Sequence, residues 1–276
     1  MLDLRRIREN EADIRRALRL KNATHVDLDG LLALDRERRR LLTEVEQLKN
    51  QRNAVSKQIG IRKQKGEDVT AVMAETRALG DRITELDAQV RETGDKLQAV
   101  LLTVPNVPHA SVPEGQDATG NRVARLVGQP RVFDFKPKPH FEIGDHLGLF
   151  DFERAARMSG AGFPLYLGAG ARLERALINF MIDVHTREHG YHEISPPFVV
   201  NSASMTGTGQ LPKLKDDMYH APVDDLWLIP TAEVPITNYY RDEIIEKPLP
   251  VYFVGYTPCF RREAGAAGRE TRGLIR

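Results

Sequence analysis

A chain of 276 residues has room for one large domain or two smaller ones, and its formal charge of +1 gives no global field that would draw it to nucleic acid. Its one cysteine, Cys259, excludes an internal disulfide framework and any zinc site built on several cysteines; the residue type suggests a small buried side chain in a reducing compartment. No run approaches the roughly 20 apolar residues of a membrane-crossing helix, and Asp3, Glu9, Glu11 and Asp13 interrupt the N-terminus where a signal peptide would be apolar, so a cytoplasmic protein is expected.

At the start of the chain, Leu4, Ile7, Ile14 and Leu18 recur at helical spacing and predict one short amphipathic helix. Asp27 or Asp29 is placed to cap the next. From Leu31 the apolar positions fall on a heptad frame. One seam is Leu34, Leu41, Leu48 and Val55; the other is Leu31, Arg38, Val45, Arg52 and Ile59. Beyond Gly60 and Gly66 the frame returns as Val69, Thr76, Ile83, Val90 and Leu97, with Val72, Leu79, Leu86, Thr93 and Val100 as its partner set. Two such seams around a glycine-bounded turn predict an antiparallel coiled-coil hairpin over about residues 30–102, an arm with little core beyond its seam. Lys57, Arg62, Lys63 and Lys65 gather at the turn. They read either as a solvated end or as a positive tip suited to a phosphate backbone, and the coil itself as a dimerisation spacer or a reach toward a large partner.

No proline precedes residue 105; then Pro105, Pro108 and Pro113 follow in quick succession, a linker signature. This predicts a helical arm over 1–104 and a second domain over 105–276. In the second, Phe163 to Leu167 reads as a strand, and a helix is expected over about Ala171 to Glu188, with Leu173, Ala176, Leu177, Phe180, Met181 and Val184 on one stripe and Gly190 at its end. A strand broken by Pro196 and Pro197 follows, then a strand over Leu226 to Ile229, a helix from about Val234 and a last strand in "LPVYFVGYTPCFRRE". Without regular βαβ alternation, this order predicts an α+β domain on an antiparallel sheet. His140, His146, His185, His189 and His192 complete no metal-ligand spacing, so no metal site is expected.

Five stretches carry a family resemblance. "GYHEISPPFVV" resembles the first signature of class II aminoacyl-tRNA synthetases, through Gly190, Tyr191, Ile194, Pro197, Phe198 and Val199, within a motif over about 171–200. "FRRE", in a second motif from about residue 251, resembles the second signature. Together with "MTGTGQLPK" (Met205 to Lys213), "IPTAEVPITN" (Ile229 to Asn238), "EAGAAGRETRGLIR" and the arm, they extend the resemblance to seryl-tRNA synthetases over nearly the whole chain.

The resemblance implies a coiled-coil tRNA-binding arm followed by an incomplete class II catalytic domain. The implied reaction activates serine with ATP to seryl-adenylate and transfers serine to the 3′ end of tRNA(Ser), and of tRNA(Sec). It implies that Arg261 bridges the serine carboxylate and the α-phosphate, which suits a permanently charged fork. Thr231, Ala232 and Glu233 are implied in serine binding; on spacing alone Thr231 reads equally as a helix N-cap with Glu233 in the first turn. Glu263 is implied at the nucleotide, Arg276 at its phosphates, and Arg269 and Arg272 at the tRNA acceptor end. Arg262 belongs with the ATP-binding set or with the solvated surface. A homodimer through the first motif and a magnesium ion are also implied, the ion's ligands not being in this chain. The third motif and the residue that reads the serine hydroxyl are not in the sequence, so weak activity or none is expected of these residues alone. The other reading is a non-catalytic tRNA-binding or dimerising fragment, for which the intact "TAE" and "FRRE" elements would have no use.

Overall fold

A computed structural model describes residues 2–115, 117–160, 162–262 and 274. Two units divide the chain between Leu126 and Val127.

In the first unit the proline-free sequence forms helix with few interruptions. The single N-terminal helix expected from apolar spacing is two, α1 (Leu4–Glu9) and α2 (Glu11–Leu20). Asn10 separates them: its backbone leaves the helical region at φ −129°, and its side-chain amide donates to the Arg6 carbonyl at 3.3 Å. The apolar spacing survives the break, because Ile7 and Ile14 are both buried in one core. Asp27 caps α3 (Leu28–Gln64), accepting from the Gly30 N–H. At 37 residues α3 is roughly 55 Å long. It runs through Gly60, where the sequence suggested a turn boundary. A lone exposed glycine costs a helix only about 1 kcal/mol, and nothing packs where its side chain would be. The chain reverses at Gly66, whose φ of +73° suits glycine, and returns as α4 (Thr70–Leu101).

The heptad seams close as read. Leu41, Val45 and Leu86 are buried together, flanked by Leu48 and Val90. Two ion pairs cross between the helices, Arg82–Glu44 at 3.2 Å and Lys49–Asp87 at 3.1 Å. At the open end of the hairpin α1 and α2 add a fuller core, in which Ile7, Ile14, Leu18, Leu31, Leu97 and Leu101 meet. Burial fades toward the turn, where Lys57, Arg62, Lys63 and Lys65 are all exposed.

The second unit contains α5 (His140–His146), α6 (Phe152–Ser159) and α7 (Gly168–Arg187) before its first strand. Phe163 to Leu167 is not a strand: only Tyr166 pairs, in an isolated antiparallel bridge with Phe150. The prolines at 196 and 197 split the next segment into β1 (His192–Glu193) and β2 (Val199–Asn201), which enter different sheets. Then come α8 (Ser202–Gly207), β3 (His220–Ala221), β4 (Leu226–Leu228), α9 (Glu233–Thr237) and β5 (Phe253–Val254). β2, β4 and β3 form an antiparallel sheet in that order; β1 and β5 form a separate parallel pair. The second core lies under the antiparallel sheet and joins Val200, Met205, Met218, Trp227, Ile229 and Val234. Cys259, expected inside, is exposed. It lies beyond the end of β5, in extended chain. Residue type alone carries no information on which face such a segment turns outward.

Candidate active site

The residues around Pro230 are held from both sides. Behind them, β4 runs into Ile229 and Pro230, both fully buried. Ahead, α9 begins at Glu233 and anchors through Val234, which has no exposed surface. Between lie Thr231 and Ala232, half-buried, and Glu233, exposed. The N-cap of α9 is Ala232 and not Thr231, and no side chain caps the helix; Thr231 instead accepts from the Glu233 N–H at 3.4 Å, two residues on, because α9 starts one residue later than the spacing suggested.

The extended chain after β5 docks alongside. Phe260 N–H donates to the Ile229 carbonyl at 2.8 Å, continuing the pairing of β4 beyond its last residue. The next residue, Arg261, then donates from Nε to the Pro230 carbonyl at 3.1 Å. That bond uses one of five guanidinium donors and leaves the forked pair at the tip for other partners. Arg262 goes to different neighbours: its N–H donates to the Asp217 carbonyl at 2.8 Å, and its guanidinium lies 5.9 Å from the Tyr219 ring centroid. Arg261 is thus tied to the carbonyl just before the segment that carries Glu233, and both residues are exposed. Such a pair can take a zwitterion, the carboxylate receiving an ammonium and the guanidinium a carboxylate or phosphate.

Glu263, Arg269, Arg272 and Arg276 lie outside the described residues. The basic residues of the arm belong to the first unit and are no part of this turn. Among the described residues no group of three or more His, Cys, Asp or Glu could hold a metal ion, and no helix is long and apolar enough to cross a membrane.

Sequence reading missed the polar framework behind the turn. Asp225 accepts from both the hydroxyl and the backbone N–H of Ser202, the latter at 3.2 Å, and Trp227 Nε1 donates to the same hydroxyl at 2.8 Å. The two bonds from Ser202, the hydroxyl first, hold the Asp225 carboxyl below its ordinary range. They join residues 23 and 25 positions apart, which no local spacing reveals.

A family model for the seryl-tRNA synthetase N-terminal domain matches residues 1–108, and one for the class II tRNA synthetase core domain (G, H, P, S and T) matches residues 216–276. The serine–tRNA ligase of Alkaliphilus oremlandii is 56% identical over 277 residues, covering 100% of this chain and 65% of that protein. The serine–tRNA ligase of Carboxydothermus hydrogenoformans is 52% identical with the same coverage of 100% and 65%. Among solved structures, the seryl-tRNA synthetase of Pyrococcus horikoshii complexed with ATP superposes with a TM-score of 0.88 at 35% identity, covering 100% of this chain and 67% of that one. The chain belongs to the seryl-tRNA synthetase family. A further member, the cytoplasmic serine–tRNA ligase of Naegleria fowleri in complex with AMP, superposes with a TM-score of 0.78 at 25% identity, over 97% of this chain and 65% of that one. The chain spans 65% of the length of these two curated relatives.

Proposed function

We propose that this chain contributes the tRNA-binding arm and the amino-acid and α-phosphate sites of a cytoplasmic serine–tRNA ligase. The observation that carries the reading is the bond from Arg261 to the carbonyl of Pro230, the residue immediately before Thr231–Glu233. It brings the guanidinium implied at the serine carboxylate to the turn implied at the serine ammonium.

Glu233 receives the ammonium, and Arg261 receives the carboxylate of serine together with the α-phosphate of ATP. Both reactants are anionic at the atoms that must meet, so their repulsion is the first barrier; a fixed guanidinium lowers it and holds the attack in line. A serine carboxylate oxygen forms a bond to the α-phosphorus as the bond to the bridging oxygen breaks and pyrophosphate leaves. No general base is needed, because the attacking carboxylate is already ionised at neutral pH. A hydroxyl of the terminal tRNA ribose then attacks the mixed-anhydride carbonyl; the ester bond forms as the bond from that carbonyl carbon to the phosphate oxygen breaks, AMP departs, and the hydroxyl proton passes to the departing phosphate or to water. Arg262, Glu263 and Arg276 complete the nucleotide site in this reading, and Arg269 and Arg272 meet the acceptor end. Lys57, Arg62, Lys63 and Lys65 at the arm's turn face tRNA phosphates. The family implies magnesium, which when bound would screen the charge of the triphosphate. The apolar stripe of α7, with Leu173, Leu177, Phe180 and Met181 exposed, is the surface through which two copies pair.

Serine-dependent exchange of pyrophosphate into ATP tests the assignment, with the chain extended to the length of its relatives. Arg261→Ala is expected to lower exchange by roughly 10²–10³-fold. Exchange at the parent rate in that variant overturns the role of Arg261.

A further inference from the structure

We propose that Asn238 is a positioning residue for serine binding, clamping the Thr231–Glu233 turn to α8; this rests on the ligase reading above. At five residues α9 is too short to hold itself as a helix, so its orientation depends on what ties it down. One tie is the burial of Val234. Another is the Asn238 side chain. Its amide nitrogen donates to the Val234 carbonyl at 2.8 Å and to the Ser204 carbonyl at 3.0 Å. An asparagine amide has two N–H donors, and here one closes α9 on itself while the other reaches into α8.

The far end of the clamp is itself fixed. Ser204 is 8% exposed; its N–H donates to Asn201 Oδ1 at 2.9 Å, and its hydroxyl accepts from Arg241 at 3.0 Å. The same Arg241 nitrogen lies 3.4 Å from Asn238 Oδ1. Gly207 makes the approach possible: a Cβ there would stand 2.9 Å from Asn238 Oδ1. The backbone at Gly207 has no positive φ, so the glycine serves this contact and not a turn. Two stretches 34 residues apart are therefore one hydrogen-bonded unit, and Glu233 projects from a helix that cannot rotate without breaking it.

Steady-state pyrophosphate exchange in the chain extended to its relatives' length tests the clamp. Asn238→Ala is expected to raise KM for serine about tenfold or more while KM for ATP stays within about twofold. Asn238→Asp keeps the shape without the donors and should behave like the alanine variant. Gly207→Ala should shift KM for serine in the same direction. The double variant Gly207→Ala/Asn238→Ala should be no worse than the worse single one, because both act on one contact. Should Asn238→Ala fail to fold by circular dichroism, Gly207→Ala carries the test. An unchanged KM for serine, an equal rise in KM for ATP, or strictly additive effects overturns the proposal. Absence of serine-dependent exchange in the parent protein overturns the ligase reading, and the clamp's role with it; that outcome is distinct from normal exchange that ignores Asn238.

Discussion

Asp225 shows how one side chain can govern the sheet that supports the site. It sits at φ +50° in the turn between β3 and β4, a conformation aspartate tolerates better than most residues. Its carboxylate accepts from the Ser202 hydroxyl first and the Ser202 N–H second, with His220 Nε2 at 3.6 Å, and these hold its pKa below the ordinary 3.8. A carboxyl depressed in the folded state stabilises above the unfolded pKa, and that contribution is lost as pH falls through the folded value. Melting temperature measured from about pH 6 down to about pH 2.5 should therefore fall less steeply in Asp225→Asn than in the parent, the variant starting lower at neutral pH. Parallel curves would contradict the assignment. At this scale the sequence names candidates only where a residue belongs to a contiguous motif, as with Thr231, Glu233 and Arg261, whose roles the exchange assay tests. It was silent on Asp225, Ser204 and Asn238, whose roles arise from partners more than twenty positions away. It misled on Cys259, where residue type was the only guide.

The arm was the most legible element. Heptad spacing is long-range within one helix, so each seam repeats its signal many times and a single exception such as Arg38 does not erase it. The buried cluster Leu41, Val45 and Leu86 lies where those seams meet. Leu41→Ala or Leu86→Ala, each removing a side chain at most 2% exposed, should cost about 2–5 kcal/mol in urea unfolding of the arm. Ile61→Ala near the turn, at 55% exposure, should cost well under 1 kcal/mol. Equal losses at the two places would show that the seam is not the core of the hairpin. The strands were poorly legible for the converse reason. β1, β3 and β5 have two residues each, too few for alternation to register, and α9 stops after five because the chain turns into a 3₁₀ segment at Asn238. α7 falls between these cases. Its period marked the shared face correctly, but period says which residues lie together and not what covers them. Leu173, Leu177, Phe180 and Met181 are 48–64% exposed.

For the whole molecule, the uncovered stripe of α7 bears on how copies of the chain associate. A helix that leaves two leucines, a phenylalanine and a methionine exposed on one face is unusual for a monomer. Phe180→Glu should convert a dimer into a monomer in light scattering at micromolar concentration, with helicity unchanged; a monomeric parent, or a variant that stays dimeric, would contradict the assigned face. The fold class was readable because resemblance ran through several short stretches along the chain, each weak alone, in the order one family uses. Specificity for serine was not readable to the same depth, since the carboxylate and guanidinium proposed for the ammonium and carboxylate would serve any amino acid alike. The charging reaction tests that central claim most directly. With the chain extended to its relatives' length, attachment of labelled amino acid to tRNA(Ser) should be seen with serine and not with threonine or alanine. Charging with another amino acid in preference to serine, or adenylate formation that never yields seryl-tRNA, would contradict the account.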